Sequence, residues 1–234
     1  MRGSCEYEYI LFDLDGTLSQ SGPGITRCAQ YALHEMGVDE PDLKKLEVFV
    51  GPPLNVSFRK YYGFSPEQAV EAVRIFQERY DQTGVFENEI YPGIDTMLRT
   101  LKTAGRHLAI ASSKPRHLIP IVLRSFGIEE YFEVISAPGF EQELTNRMSS
   151  DNKQYMVQQA LELLGIAGLR AEDRHERCAM IGDRFYDIEG ALANHVTAVG
   201  VTYGYGTREE LVQAGAELIA DSAAELTDLL LKKH

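Results

Sequence analysis

Asp13 and Asp15 stand two residues apart in Asp13-Leu14-Asp15-Gly16-Thr17-Leu18, directly after the apolar run Tyr9-Ile10-Leu11-Phe12. On extended backbone, side chains two apart point the same way, roughly 6 to 7 Å along the strand, so both carboxylates can face one substrate from the strand's end. Gly16 then lets the chain turn away. One carboxylate able to attack and a second able to give and take a proton suggest phosphoryl transfer. A hairpin turn with two solvated carboxylates is the competing interpretation of an isolated Asp-x-Asp-Gly.

Three further segments fall at the ends of predicted strands, where open α/β sheets place their ligands. Leu108-Ala109-Ile110-Ala111 runs into Ser112-Ser113-Lys114-Pro115. Hydroxyls and successive backbone N–H groups there can hold phosphate oxygens, or the serines can cap the next helix. Lys153 opens a helix after the polar stretch Asn146 to Asn152 and can meet a bound phosphate. Lys114 is a rival for that role, and a solvated surface amine is the ordinary fate of either. Ala179-Met180-Ile181 runs into Gly182-Asp183-Arg184-Phe185-Tyr186-Asp187. Asp183 is the better candidate ligand there, whereas Asp187 can also cap backbone N–H groups. Mg²⁺ takes few hard oxygen ligands beside water and substrate phosphate, so Asp13, Asp183 and a backbone carbonyl can supply the protein's share.

The elements that must position these residues form an α/β rhythm. Short apolar bursts at Tyr9 to Phe12, Leu108 to Ala111, Val134 to Ser136, Ala179 to Ile181, Thr197 to Val201 and Glu217 to Ala220 predict strands buried on both faces of a parallel sheet. Helical patterns lie between them at Ile94 to Ala104, Leu118 to Phe126, Lys153 to Leu164, Asp187 to Asn194 and Ala223 to Leu231. A doubly wound, Rossmann-like core is expected. Residues 20–88 break the rhythm with helical stretches at Ile25 to Met36, Leu43 to Phe49, Leu54 to Tyr62 and Pro66 to Gly84, and predict an inserted helical cap on a core of residues 1–19 and 89–234. The crossings are expected near Ser19 to Gly24 and Phe86 to Pro92. If the cap covers the strand ends, its Gly51-Pro52-Pro53-Leu54 loop and Arg59 can meet the substrate beyond its phosphate.

The 234 residues, 44% of them hydrophobic, suffice for a large core. A net charge of −12 argues against a nucleic-acid polymer or an anionic membrane as main partner, and a phosphate substrate would need local compensation. No apolar stretch has the length of a spanning helix, and the first residues lack a secretory pattern, so a cytoplasmic location is expected. Cys5, Cys28 and Cys178 predict reduced thiols. The six histidines show no ligand spacing, and Gly204-Tyr205-Gly206 can approach a ligand, although a flexible turn after a strand is the simpler reading. Oligomeric state is not legible.

Together these motifs make the chain resemble the haloacid dehalogenase-like hydrolases, in particular phosphatases with a helical cap after the first strand. Asp13-x-Asp15-Gly16-Thr17 is similar to the first family motif, Ser112 to the second, Lys153 to the third and Gly182-Asp183-x-x-x-Asp187 to the fourth, in the family's order. The third departs from a frequent form, since Gln154 rather than Pro follows the lysine. The resemblance implies Asp13 as a nucleophile forming an aspartyl-phosphate, Asp15 as acid then base, Ser112 and Lys153 as phosphate binders with Ser113 beside them, Asp183 as a magnesium ligand and Asp187 as its support. The function it implies is Mg²⁺-dependent hydrolysis of a small phosphate ester, phosphoglycolate-like or a nucleoside 5′-monophosphate. A phosphomutase of the β-phosphoglucomutase type is the enzymatic alternative. A phospho-accepting receiver domain has no use for the insertion or for Asp15.

Overall fold

The computed structural model describes residues 7–139 and 151–232. Cys5, His234 and the stretch Asn146 to Ser150 lie outside the described residues. Six parallel strands build one sheet: β1 (Tyr9–Phe12), β4 (His107–Ala111), β5 (Val134–Ser136), β6 (Cys178–Gly182), β7 (Thr197–Val201) and β8 (Leu218–Ala220), in the order β5-β4-β1-β6-β7-β8. All six were expected, because strands covered on both faces carry continuous apolar runs. Alternate residues serve opposite layers: Ile10 and Phe12 enter one hydrophobic cluster, while Leu11 enters the other.

Helices cover both faces. The chain leaves β1 toward β4 and β5, then crosses to β6 on the other side of β1. That reversal opens a crevice at the carboxyl ends of β1, β4 and β6. On the core lie α4 (Ile94–Thr103), α5 (Ile119–Ser125), α6 (Asp151–Leu163), α7 (Ala171–Arg177), α8 (Phe185–Ala193), α9 (Arg208–Ala214) and α10 (Ala223–Leu231). Two of these, α7 and α9, are not expected from sequence. In α7 no residue is buried, so no apolar stripe announces it; α9 is seven residues long and starts on the Thr207 side chain, which accepts the Glu210 N–H.

Between β1 and α4 the chain is helical: α1 (Gly22–Glu35), a 3₁₀ segment (Leu43–Phe49), α2 (Leu54–Tyr62) and α3 (Pro66–Gln82). The predicted crossings pair with each other as two-residue antiparallel strands, β2 (Ser19–Gln20) and β3 (Glu89–Ile90), too short for any periodicity to reveal. α3 begins with a reciprocal cap, Gln68 N–H to Ser65 Oγ and Ser65 N–H to Gln68 Oε1, followed by Pro66. Phe58 is fully buried against Phe49 and Phe64, with ring centroids 4.7 and 5.7 Å away. Cys28 and Cys178 are free, buried thiols. Among the described residues no helix is long and apolar enough to cross a membrane.

Candidate active site

β1 delivers Asp13 into the crevice while still bonded to the sheet: the Asp13 N–H donates to Ile181 O at 2.9 Å. The chain then reverses, with Gly16 N–H on Ser19 O and Leu18 N–H on Leu14 O. Gly16 has φ +92°, and a Cβ there would stand 2.3 Å from Asp183 Oδ2. Backbone conformation and the approach of Asp183 therefore both require glycine.

Three carboxylates meet at this point. Asp13, Asp183 and Asp187 are buried, and each offers an oxygen within 4.8 Å of the others. Asp187, at the start of α8, accepts the Arg184 N–H at 3.0 Å, so it caps the helix and joins the cluster at once. Asp183 accepts the Tyr205 N–H at 2.7 Å and faces the Thr17 hydroxyl at 3.5 Å, but forms no ion pair among the described residues. Burial, together with the charges of Asp187 and Asp13, pushes the Asp183 carboxyl well above the usual carboxylate range. Burial likewise raises Asp187 to about 6 although Lys153 opposes it.

Lys153, near the start of α6, places Nζ 2.9 Å from Asp13 Oδ1 and 2.7 Å from Asp187 Oδ1, and donates to Ala111 O at 3.2 Å. Burial disfavours its charge, but the two carboxylates outweigh that and hold the ammonium above the ordinary lysine range. Lys114 occupies a different place. Its Nζ lies 3.1 Å from Asp15 Oδ2 and donates to Tyr80 Oη at 2.6 Å; here too the Asp15 charge and the tyrosine outweigh burial and raise the lysine. The two lysines are thus divided between the two carboxylates of the first motif. Ser112 is buried at the end of β4, next to Ala111, and its Oγ accepts the Lys114 N–H at 3.2 Å. It does not cap the next helix, since α5 starts after Leu118 without a side-chain cap, and its hydroxyl proton remains a donor.

A cavity of about 50 Å³ adjoins Asp15, Ser113 and Lys114, and is closed from the helical segment by Gly51, Pro52 and Tyr80. Arg59 is not brought there. It is exposed and lines a separate depression with Val56, Lys60 and Gly63, because Leu54 and Phe58 turn their own side of α2 inward. A second contact joins the segments: Arg184 donates to Val50 O at 3.2 Å and to Glu210 Oε1 at 2.9 Å. Tyr186, beneath the Arg184 guanidinium at 5.4 Å, has a buried hydroxyl without a hydrogen-bond partner among the described residues.

Several of these residues carry no signal in the sequence. Tyr80 sits four after Phe76 on the apolar side of α3, where an aromatic reads as core. The Gly204-Tyr205-Gly206 segment is corrected from flexible turn to packed support: a Cβ on Gly206 would stand 1.9 Å from Asp183 O, and one on Gly204 2.3 Å from Gly16 O. His107 and His175 lie at the surface, within 2.8 Å of Glu133 and 2.6 Å of Glu217.

Known proteins share this architecture. A 5′-nucleotidase of Pseudomonas aeruginosa is 40% identical over 205 residues, 88% of this chain and 87% of that one. Tyrosine-protein kinase PtkA of Mycobacterium tuberculosis is 32% identical, covering 95% of this chain and 71% of its own, and a phosphoglycolate phosphatase of Vibrio vulnificus is 29% identical over 97% of each. The crystal structure of a predicted phosphatase from Clostridium acetobutylicum superposes with a TM-score of 0.86 at 40% identity, covering 96% of this chain and 98% of that one. Residues 10–201 match the description of the haloacid dehalogenase-like hydrolases, and with the sheet order and the clustered motifs this shows that the chain belongs to that family.

Proposed function

We propose that this hydrolase is a Mg²⁺-dependent phosphomonoesterase for a small phosphorylated metabolite, working through an aspartyl-phosphate on Asp13, with residues 20–88 as a cap over the core. The observation that carries the proposal is the charge arrangement at the ends of β1, β4 and β6: Asp13, Asp15, Asp183 and Asp187 against Lys153 and Lys114. Four carboxylates face two ammonium groups, and Asp183 is left without an ion pair among the described residues. A buried, all-oxygen donor set with surplus negative charge fits a hard divalent cation. Asp13, Asp183 and the Asp15 carbonyl would hold it, with Asp187 in support. Bound there, the ion would neutralise charge between the attacking carboxylate and the phosphate.

The chain's own groups supply the rest. Lys153 fixes one oxygen of Asp13 and presents its positive charge where phosphate oxygens would sit, joined by the Ser112 hydroxyl and the Ser113 backbone. Asp15, held by Lys114, would take up a proton from solvent, give it to the departing alkoxide oxygen and afterwards take one from the water that cleaves the acyl-phosphate. The cavity, about 50 Å³, is far below the roughly 300 Å³ at which ligand pockets begin. A nucleoside 5′-monophosphate therefore needs the cap to move aside, whereas a phosphoglycolate-sized ester needs less movement.

The relatives are named for a nucleotidase, a phosphatase and a kinase, so the phosphomutase alternative is not favoured. The deciding experiment is phosphate release from a panel of phosphoglycolate, sugar phosphates and nucleoside monophosphates, with and without Mg²⁺, for the wild type and Asp13→Asn. Metal-dependent release that falls below about 1% in the variant is expected. Higher residual activity removes Asp13 as nucleophile, and isomerisation without release would restore the mutase.

A further inference from the structure

We propose that Tyr80, on α3, is a positioning residue for Asp15: acting through Lys114, it fixes where the acid–base carboxylate stands over the leaving group. The proposal rests on the phosphatase function above. An ammonium carries three N–H donors on a flexible stem, and by itself it would hold a carboxylate in many geometries. Here every donor has a partner. Lys114 Nζ lies 3.2 Å from Asp15 Oδ1, 3.1 Å from Asp15 Oδ2 and 2.6 Å from Tyr80 Oη. The same nitrogen sits 4.7 Å from the centroid of the Tyr80 ring, at its hydroxyl end and not over its face, so it is the hydroxyl that holds it. Tyr80 is itself fixed, buried and stacked on Phe76 at 5.4 Å along α3.

A simple bolt between the helical segment and the core would use the same contacts, but the two roles separate by chemistry. Loss of a bolt slows every ester alike. Loss of Asp15 placement slows an ester in proportion to its need for a proton on the leaving oxygen, which is large for an alkyl phosphate and small for p-nitrophenyl phosphate. Tyr80→Phe keeps the ring, its stacking and the Lys114–Asp15 ion pair, and deletes only the hydroxyl.

The test measures kcat/KM with Mg²⁺ for the wild type, Tyr80→Phe, Lys114→Met and the double variant, on glycerol phosphate and p-nitrophenyl phosphate. This constant reports the steps through departure of the leaving group. For Tyr80→Phe the expected loss is roughly tenfold on the alkyl ester and less than about twofold on the aryl ester. In the Lys114→Met background the same change should have no further effect. Equal losses on both esters, no loss on either, or an undiminished Tyr80→Phe effect without Lys114 overturns the proposal while leaving the phosphatase function standing. A wild type that releases phosphate from neither these two esters nor any ester of the panel above overturns the two together.

Discussion

At the residue scale, the site spends stability on placing polar groups where water cannot reach them. Tyr186 is the clearest example: its hydroxyl is buried beside the carboxylate cluster with no partner among the described residues. An unsatisfied buried hydroxyl costs about 1 to 3 kcal/mol, and in a chain of this size 1 kcal/mol moves the melting temperature by about 2 to 4 °C. Tyr186→Phe should therefore raise Tm by several degrees in calorimetry of the unligated protein. An unchanged or lower Tm would show that the hydroxyl has a partner after all. Asp183 belongs to the same class, with one backbone N–H and one hydroxyl around a buried carboxylate. Native proteins tolerate such groups where binding later satisfies them, so the gain in Tyr186→Phe is expected to come with weaker binding of the phosphate ester.

At the element scale, α6 and α8 set the side of the site that holds Asp13, while α3 and the loop before α2 set the side that faces Asp15. Lys153 of α6 is locked between Asp13 of β1 and Asp187 of α8, and removing it strands two buried carboxylates. Breaking a buried pair this way costs about 3 to 5 kcal/mol, so Lys153→Met should unfold at clearly lower denaturant and lose turnover on all esters. Lys114→Met should lose most on alkyl esters. Near-wild-type kinetics in the first variant beside a crippled second would reverse the assignment of the two lysines. On the other side, substitutions at Gly51 or Pro52, which line the cavity, should change the ranking of phosphoglycolate, sugar phosphates and nucleotides, whereas Arg59→Ala should leave it intact. A reranking by Arg59→Ala would place that side chain at the substrate. The strands and the carboxylates after β1 and β6 were legible because double-sided burial and strand-end spacing each leave a pattern in the sequence. The outward placement of Arg59 was not legible because α2, nine residues long, gives two apolar anchors, Leu54 and Phe58, and neither says which polar neighbour follows them inward. The Tyr205 loop was misread because glycine needed for close approach to Asp183 looks, in sequence, like glycine needed for flexibility.

At the scale of the whole molecule, the carboxylate cluster couples folding to pH and, on the function proposed above, to a metal ion. Burial raises Asp183 well above its ordinary value and Asp187 from 3.8 to about 6, so the folded chain holds protons that the unfolded chain releases. A carboxyl raised on folding contributes stability below its unfolded value, and that contribution is lost as pH rises through its folded value. For Asp187 that contribution is lost as the pH rises through about 6. Carboxylates with ordinary salt bridges, such as Glu133 with Lys102 and His107, work the opposite way, so total stability against pH is not diagnostic. The difference between wild type and Asp183→Asn is. The amide cannot ionise, so without metal the variant should melt several degrees above wild type at about pH 7.5, by a margin that narrows as the pH falls toward about 4. Mg²⁺ should reverse the order at the higher pH, because a cation favours the ionised cluster; at a hundredfold excess over its dissociation constant it adds about 2.7 kcal/mol to the wild type alone. Paired scanning calorimetry with and without Mg²⁺ measures both effects. An equal Mg²⁺ response in the two proteins, or a wild-type response larger at pH 5 than at pH 7.5, would remove Asp183 from the metal site and leave its burial unexplained.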